Sequence, residues 1–387
     1  MEIRLLGSLV ERKIGYGIVQ PGQSIDGGVP VIKVNNLITG LTSVKDLDTT
    51  STETAAKYSR TKLKGGELIV SVVGTIGKTA IVPAAFAGCN LVRATALIDI
   101  PEQWLSYWVK YYIDSPAGQA YIDQNLNTTV QPTLNIKSLV EMPIPFFDET
   151  LMKRAVAFLK TIDDKIATNN RINDNLEYQA SALVEQYFES VSSIVPFAEI
   201  MSFENGFAFQ SSTYLPSGQY RIITIKNVQD GQIDTTGAAC IDELPQRMKE
   251  GCVLQIGDAL LSLTGNVGRV GIVCENGLLL NQRVAKIVPH RKELLPLLYF
   301  IYRQPSTKTQ LESIAKGTAQ LNLSPVETLK LTVPYNSEVA LNLSHTLTPI
   351  YQAIIANNQQ SIILASMRDA LLPKLMSREI DVSDVDA

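Results

Sequence analysis

The chain has 387 residues, 45% of them hydrophobic and 19% charged, which exceeds one ordinary domain and excludes extensive disorder. A net charge of −4 argues against a simple electrostatic hold on nucleic acid, and only two histidines, His290 and His345, leave no basis for a His-built metal site or triad. Four cysteines without C-x-x-C spacing read as free thiols in a reducing cytoplasm, and the lack of a secretory leader or an apolar run of about 18 residues predicts neither export nor a membrane span.

Taken in order, the first element is IKVNNLITG (32–40), an alternating strand that runs into Asn and a glycine turn. Residues 66–82, GELIVSVVGTIGKTAIV, pass through apolar residues to Ser71, turn on Gly74 and Gly77, and return past Lys78. This predicts a β-hairpin whose glycines take positive φ and whose basic residue lies near the tip. The aromatic-rich stretch 104–112 predicts a helix with its rings in the core. A polar loop, NLNTTVQPTLN (125–135), then leads to an apolar strand ending at Ile144-Pro145. Prolines at 143, 145 and 334 are expected to stop the preceding element and set up a helix start. From Asp148 to about Phe188 there is no Pro or Gly, and apolar residues recur at helical spacing. A continuous helix there would be about 60 Å long.

The same series then recurs. GDALLSLTGNVGRVGIV (257–273) repeats the hairpin 191 residues on, with Ser262, Gly265, Gly268 and Arg269 in the corresponding places. At that offset ITIKNVQDG (223–231) repeats IKVNNLITG, Leu6-Gly7-Ser8-Leu9 lies on Phe197-Ala198-Glu199-Ile200, Gly15-Tyr16 lies on Gly206-Phe207, and Asn90 lies on Asn281. Small deletions then shift the offset to about 189, so that Gln131-Pro132-Thr133-Leu134 meets Gln320-Leu321-Asn322-Leu323 and Ala167-Thr168-Asn169-Asn170 meets Ala356-Asn357-Asn358-Gln359. Pro349 is expected to kink or break the second long helix, and Pro373 to end it or kink it near its end.

Charge repeats with the sequence. Residues 1–145 and 191–334 each hold 13 basic and 12 acidic residues, while 146–190 hold 5 and 8, and 335–387 hold 3 and 6. The expected architecture is α+β: a tandem repeat of two globular α/β domains, 1–145 and 191–334. Each is followed by a long helix, 146–190 and 335–380, and an acidic tail closes the chain at 381–387. A long amphipathic helix cannot bury its apolar stripe alone, so the two are expected to pair as an antiparallel coiled coil. Asn169 and Asn358 then fall near mid-seam, either solvated or buried and fixing register.

Gly77-Lys78-Thr79 resembles part of a phosphate-binding loop, but that pattern needs a Gly at position 72, which is Val, and the second copy lacks the Lys-Thr pair. Lys78 and Arg269 can touch a DNA phosphate or simply be solvated. The loops at 125–135 and 316–324 carry Asn127, Thr128, Thr129 and Gln131, and Thr318, Gln320 and Asn322. Such side chains can read base edges, and they are equally at home in ordinary turns. No G-x-S-x-G, H-E-x-x-H, N-P-P-Y or D-P-P-Y motif occurs, and no carboxylate cluster repeats between copies.

Four features in order, each present twice, resemble the specificity subunit of a type I restriction–modification system: L-I-V-S-V-V-G-T-I-G-K and its echo, the Q-P-T-L-N and Q-L-N-L-S loops, the P-I-P and V-P exits, and the A-x-N-N helical segments. The resemblance covers essentially the whole chain. It implies two target-recognition domains, each reading one half of an asymmetric bipartite target in double-stranded DNA, with the helix pair setting the gap. It further implies a non-catalytic subunit without cofactors of its own. Two methyltransferase (modification) subunits would bring S-adenosylmethionine, and restriction/translocase subunits would bring ATP and Mg. A protein-binding scaffold is the alternative, and a nucleotide-dependent enzyme built on GTIGKT is a third possibility.

Overall fold

A computed structural model describes residues 2–127, 131–317 and 321–380. The chain divides into two units, residues 1–164 with 365–387, and residues 165–364.

In the first unit an antiparallel sheet has the order Arg12–Tyr16, Thr95–Asp99, Leu68–Ser71, Thr79–Ile81. Leu68–Ser71 is buried along its whole length because the sheet is covered on both faces. Leu68 and Val70 enter the core shared with the helix Gln103–Asp114, while Ile69 enters a second core with Ile32 and Leu91 of a smaller sheet. That split follows from the two-residue period of a strand. Trp108, Tyr111 and Tyr112 of Gln103–Asp114 are core as expected, while Trp104 and Tyr107 are half-buried against that core; Trp108 is fully buried, and its indole N–H donates to the Pro145 carbonyl at 2.9 Å.

The second unit repeats this plan. Its sheet has the order Met201–Asn205, Val284–Pro289, Ala259–Ser262, Val270–Ile272, with Gly231–Gln232 added in parallel. Ala259 and Leu261 face one core and Leu260 the other. The strand pairings fix the internal alignment. Ser71 opposes Thr95 and Ser262 opposes Val284, so the offset is already 189 there. Val92, and not Asn90, is therefore the counterpart of Asn281: the amides of both bond back to the strand end, Val92 to the Ile32 carbonyl and Asn281 to that of Ile223. Likewise Gly17, and not Gly15, is the counterpart of Gly206. The amides that follow, of Ile18 and Phe207, bond to the Leu91 and Leu280 carbonyls, and a β-carbon on either glycine would sit 2.1 Å from a backbone carbonyl oxygen. The extra residues of the first copy include a bulge between Arg12 and Gly15, which a sequence alignment of short motifs passes over.

Pro334 ends its strand as expected, whereas Pro143 and Pro145 lie within one. Pro143–Phe146 is a strand paired with Glu2–Leu5, and Thr332–Pro334 is one paired with Ile194–Pro196. Each ribbon has only two strands, and Pro143 and Pro145 share one parity, so their missing N–H groups fall on one side. The caps of the long helices are Asp148, which accepts from the Leu151 amide, and Asn336, which accepts from the Glu338 and Val339 amides.

The long helices are Glu149–Ser190 and Ser337–Met376. The second is continuous through Pro349, so it has no break there, and it ends at Met376, three residues past Pro373. Buried Leu347, Tyr351 and Ile354 hold the turns on either side of Pro349, and one lost intrahelical hydrogen bond does not outweigh them. Within the second unit the helices pair antiparallel. Asn169 is 0% exposed, and its side-chain amide donates to the Asn357 carbonyl, Gln360 Oε1 and Ser361 Oγ. Asn173 donates to Asn358 and accepts from Asn357, both at 2.8 Å. Within the first unit Asp163 accepts from Arg368 at 2.8 Å and from the Tyr111 hydroxyl at 2.9 Å, and burial and that carboxylate hold the phenol well above its usual range. In the second unit Glu177 takes the Tyr299 hydroxyl at 2.5 Å and the Arg303 guanidinium at 3.3 Å. Each globular body is thus tied to helix residues of its own unit by a tyrosine, a carboxylate and an arginine.

The four cysteines are free and buried, and burial pushes the Cys274 thiol up to about 11. Among the described residues no helix is long and apolar enough to cross a membrane, and no group of three potential metal ligands occurs.

Candidate nucleic-acid interface

The repeated hairpin motif is a self-contained turn. Gly74, Gly77, Gly265 and Gly268 all have φ between 75° and 80°, the left-handed region that favours glycine. Ser71 Oγ accepts from the Lys78 amide at 2.8 Å and donates to the Thr75 carbonyl, while the Gly77 amide bonds to the Ser71 carbonyl. The acid of the motif holds the preceding turn: Glu67 accepts from the Lys64 and Gly65 amides, and Asp258 from the Gln255 amide. These amides bond within the protein, and a strand, Thr79–Ile81, follows where a phosphate-binding loop would open a helix.

The polar loop docks on this turn in both copies. In the first, Val73 bridges to Thr133 and the Leu134 amide bonds to the Val72 carbonyl at 2.9 Å. In the second, Thr264 bridges to Asn322 and the Leu323 amide bonds to the Leu263 carbonyl at 2.7 Å. Thr264 Oγ1 also donates to Asn322 Oδ1. These are the same two seats, so the fold brings turn and loop together twice in one geometry.

Asn127 and Gln131 are exposed, Asn127 in the short strand Leu126–Asn127 that pairs with Thr133–Leu134; Asn322 is exposed too. Thr128, Thr129, Thr318 and Gln320 lie outside the described residues. The basic residues of the hairpin are not brought to these loops. Lys78 is exposed beside a recess of about 370 Å³ lined by Thr79, Asp114, Gln119 and Arg368. The Arg269 guanidinium donates to Gln229 Oε1 at 2.5 Å, which fixes it on the strand side of the turn.

Motif reading missed a third component. A groove of about 540 Å³ in the first unit is lined by Lys33, Asn35, Arg93, Gln131 and Thr133, among others. Arg93 stands on the short turn between the smaller sheet and Thr95–Asp99, its amide bonded to the Ile18 carbonyl at 2.7 Å. In the second unit the same turn carries Gln282 and Arg283, with Lys226 at the place of Asn35. Arg93, Gln282, Arg283 and Lys226 are all exposed. The alignment at offset 191 hid this correspondence by placing the turn two residues out of register.

A model of the type I restriction modification DNA specificity domain matches residues 2–178 and again residues 191–364. The chain is 31% identical over 143 residues to the type I restriction enzyme EcoBI specificity subunit of Escherichia coli, covering 36% of this chain and 30% of that one. It is 28% identical over 103 residues to the HindI specificity subunit of Haemophilus influenzae, covering 26% and 22%. The chain thus spans less than a third of the length of these curated relatives, at 30% and 22%. A crystal structure of the type I restriction–modification system S subunit from M. genitalium matches over 97% of this chain and 95% of that one, with a TM-score of 0.52 at 15% identity, which is a likeness of fold. With one copy of the domain in each half of its repeat, the chain belongs to the type I restriction modification DNA specificity family.

Proposed function

We propose that this chain is the non-catalytic, sequence-reading subunit of a cytoplasmic type I restriction–modification complex. Each globular body reads one half of a bipartite target in double-stranded DNA, and the paired helices set the gap. The observation that carries this is the twofold docking of a polar loop on the glycine turn, at equivalent seats that hold different side chains: Val73 and Thr133 in one copy, Thr264 and Asn322 in the other. One frame with different side chains is what two unlike half-sites require.

Asn127, Gln131 and Asn322, with Thr128, Thr129, Thr318 and Gln320 of the same loops, are the base-contacting candidates, since amide side chains pair with adenine edges in the major groove. Lys78 and Arg269 are phosphate contacts in this scheme and position the protein without specifying sequence. The net charge of −4 suits a subunit whose partners supply most of the phosphate attraction. Those partners are two modification subunits, which bring S-adenosylmethionine, and restriction subunits, which bring ATP and Mg.

Methylome sequencing of a host carrying the modification subunits, with and without this chain, tests the proposal. A bipartite methylated motif that disappears with the chain is expected; an unchanged methylome would refute it.

A further inference from the structure

Arg93 and Gln282 occupy one position in the two copies. Arg93 donates its amide to the Ile18 carbonyl at 2.7 Å, and Gln282 donates its amide to the Phe207 carbonyl at 3.0 Å. One residue further on, the Ala94 carbonyl accepts from the Val72 amide and the Arg283 carbonyl from the Leu263 amide, which ties this turn directly to the glycine turn. The backbone is therefore pinned on both sides in the same way, and only the side chain differs. Both side chains are exposed, and neither has a hydrogen-bond or ion-pair partner among the described residues. A solvated arginine on a flexible loop would carry little meaning. Here the arginine stands on a hydrogen-bonded turn at the edge of a groove whose other polar walls are Lys33, Asn35, Gln131 and Thr133. Lys33 is already paired with Asp48 at 2.5 Å, so among the described residues Arg93 is the uncommitted cation of that groove.

On the basis of the DNA-reading function proposed above, we infer that Arg93 and Gln282 read equivalent base positions in the two half-sites, Arg93 a guanine and Gln282 an adenine. The guanidinium fork matches the O6 and N7 acceptors of guanine in the major groove, and a glutamine amide matches the N7 acceptor and N6 donor of adenine. Lysine at such a place would be a point charge without the fork. The rigid frame makes the two side chains exchangeable in principle, because nothing else at the position differs in its backbone bonding.

The test uses the chain co-expressed with its modification subunits, with the methylated motif read by sequencing and the relative use of single-substituted sites measured. Arg93→Gln is expected to shift one G·C position in one half-site toward A·T, by roughly ten- to a hundred-fold in relative use, with the other half and the gap unchanged. Gln282→Arg should make the reverse change in the other half-site. Arg93→Lys should relax the guanine preference while keeping the charge. An unaltered motif at unaltered stringency in Arg93→Gln and Arg93→Ala overturns the inference. So does weakened methylation of the same motif with a shallower salt dependence of binding, which marks a phosphate contact. If a variant methylates nothing, competition by single-substituted duplexes for the purified complex decides: base discrimination equal to that of the parent, or none measurable because binding is lost at every sequence alike, counts against base reading. A parent chain that directs no bipartite motif would instead overturn the functional proposal on which the inference rests.

Discussion

Ser71 and the glycines around it show how a motif that resembles a phosphate loop is used for folding. Ser71→Ala removes one hydrogen bond from the Lys78 amide and one to the Thr75 carbonyl, and should lower stability by about 1–3 kcal/mol, seen as a drop in melting temperature. Two glycines give a sharper contrast. Gly74 has φ +79°, and among the described residues nothing beyond its chain neighbours lies within 4 Å of a β-carbon added there, so Gly74→Ala costs only the left-handed conformation, about 1–2 kcal/mol. Gly17 meets the Leu91 carbonyl oxygen at 2.1 Å, so Gly17→Ala must displace backbone and should cost more than about 3 kcal/mol. Comparable melting temperatures for the two variants would contradict this account. The turn glycines were legible because G-x-x-G is a local pattern. Gly17 was not, because its constraint is a strand more than 70 residues away in sequence.

At the scale of elements, hydrophobic periodicity revealed both long helices and the strands on either side of the glycine turn. It failed where an element depends on its neighbour: Pro143 and Pro145 sit inside a two-stranded ribbon, and Pro349 sits inside a helix held by packing. The mid-seam asparagines were left open by the sequence and are resolved by the structure. Asn169 is buried, with its side-chain oxygen unpartnered, while Asn358 bonds to Asn173. A buried polar residue of this kind lowers stability and favours one register of the paired helices over its slipped alternatives. Asn169→Leu should therefore raise the melting temperature while broadening the range of gaps accepted between half-sites, read from the methylated motif. A lower melting temperature with an unchanged gap would mean that the amide contributes net stability and has no part in register.

At the scale of the whole molecule, the duplication was the most legible feature, and it was slightly misregistered. The hairpins align at 191 residues, but the pairing of Ser71 with Thr95 and of Ser262 with Val284 moves the following strand to 189. That two-residue shift concealed Arg93, Gln282 and Arg283, because an exposed residue on a four-residue turn has no periodicity of its own. The helices, by contrast, make a claim about length that can be tested directly. Removing seven residues at facing positions of both Glu149–Ser190 and Ser337–Met376 deletes about two turns from each and keeps their apolar faces aligned. The pair then shortens by about 10 Å, equivalent to at most about three base pairs of duplex. The expected methylated motif keeps both half-sites and has a shorter gap. A change in the half-site bases, with the gap retained, would show that the helices contribute to base reading and do not act as the ruler between two independent readers.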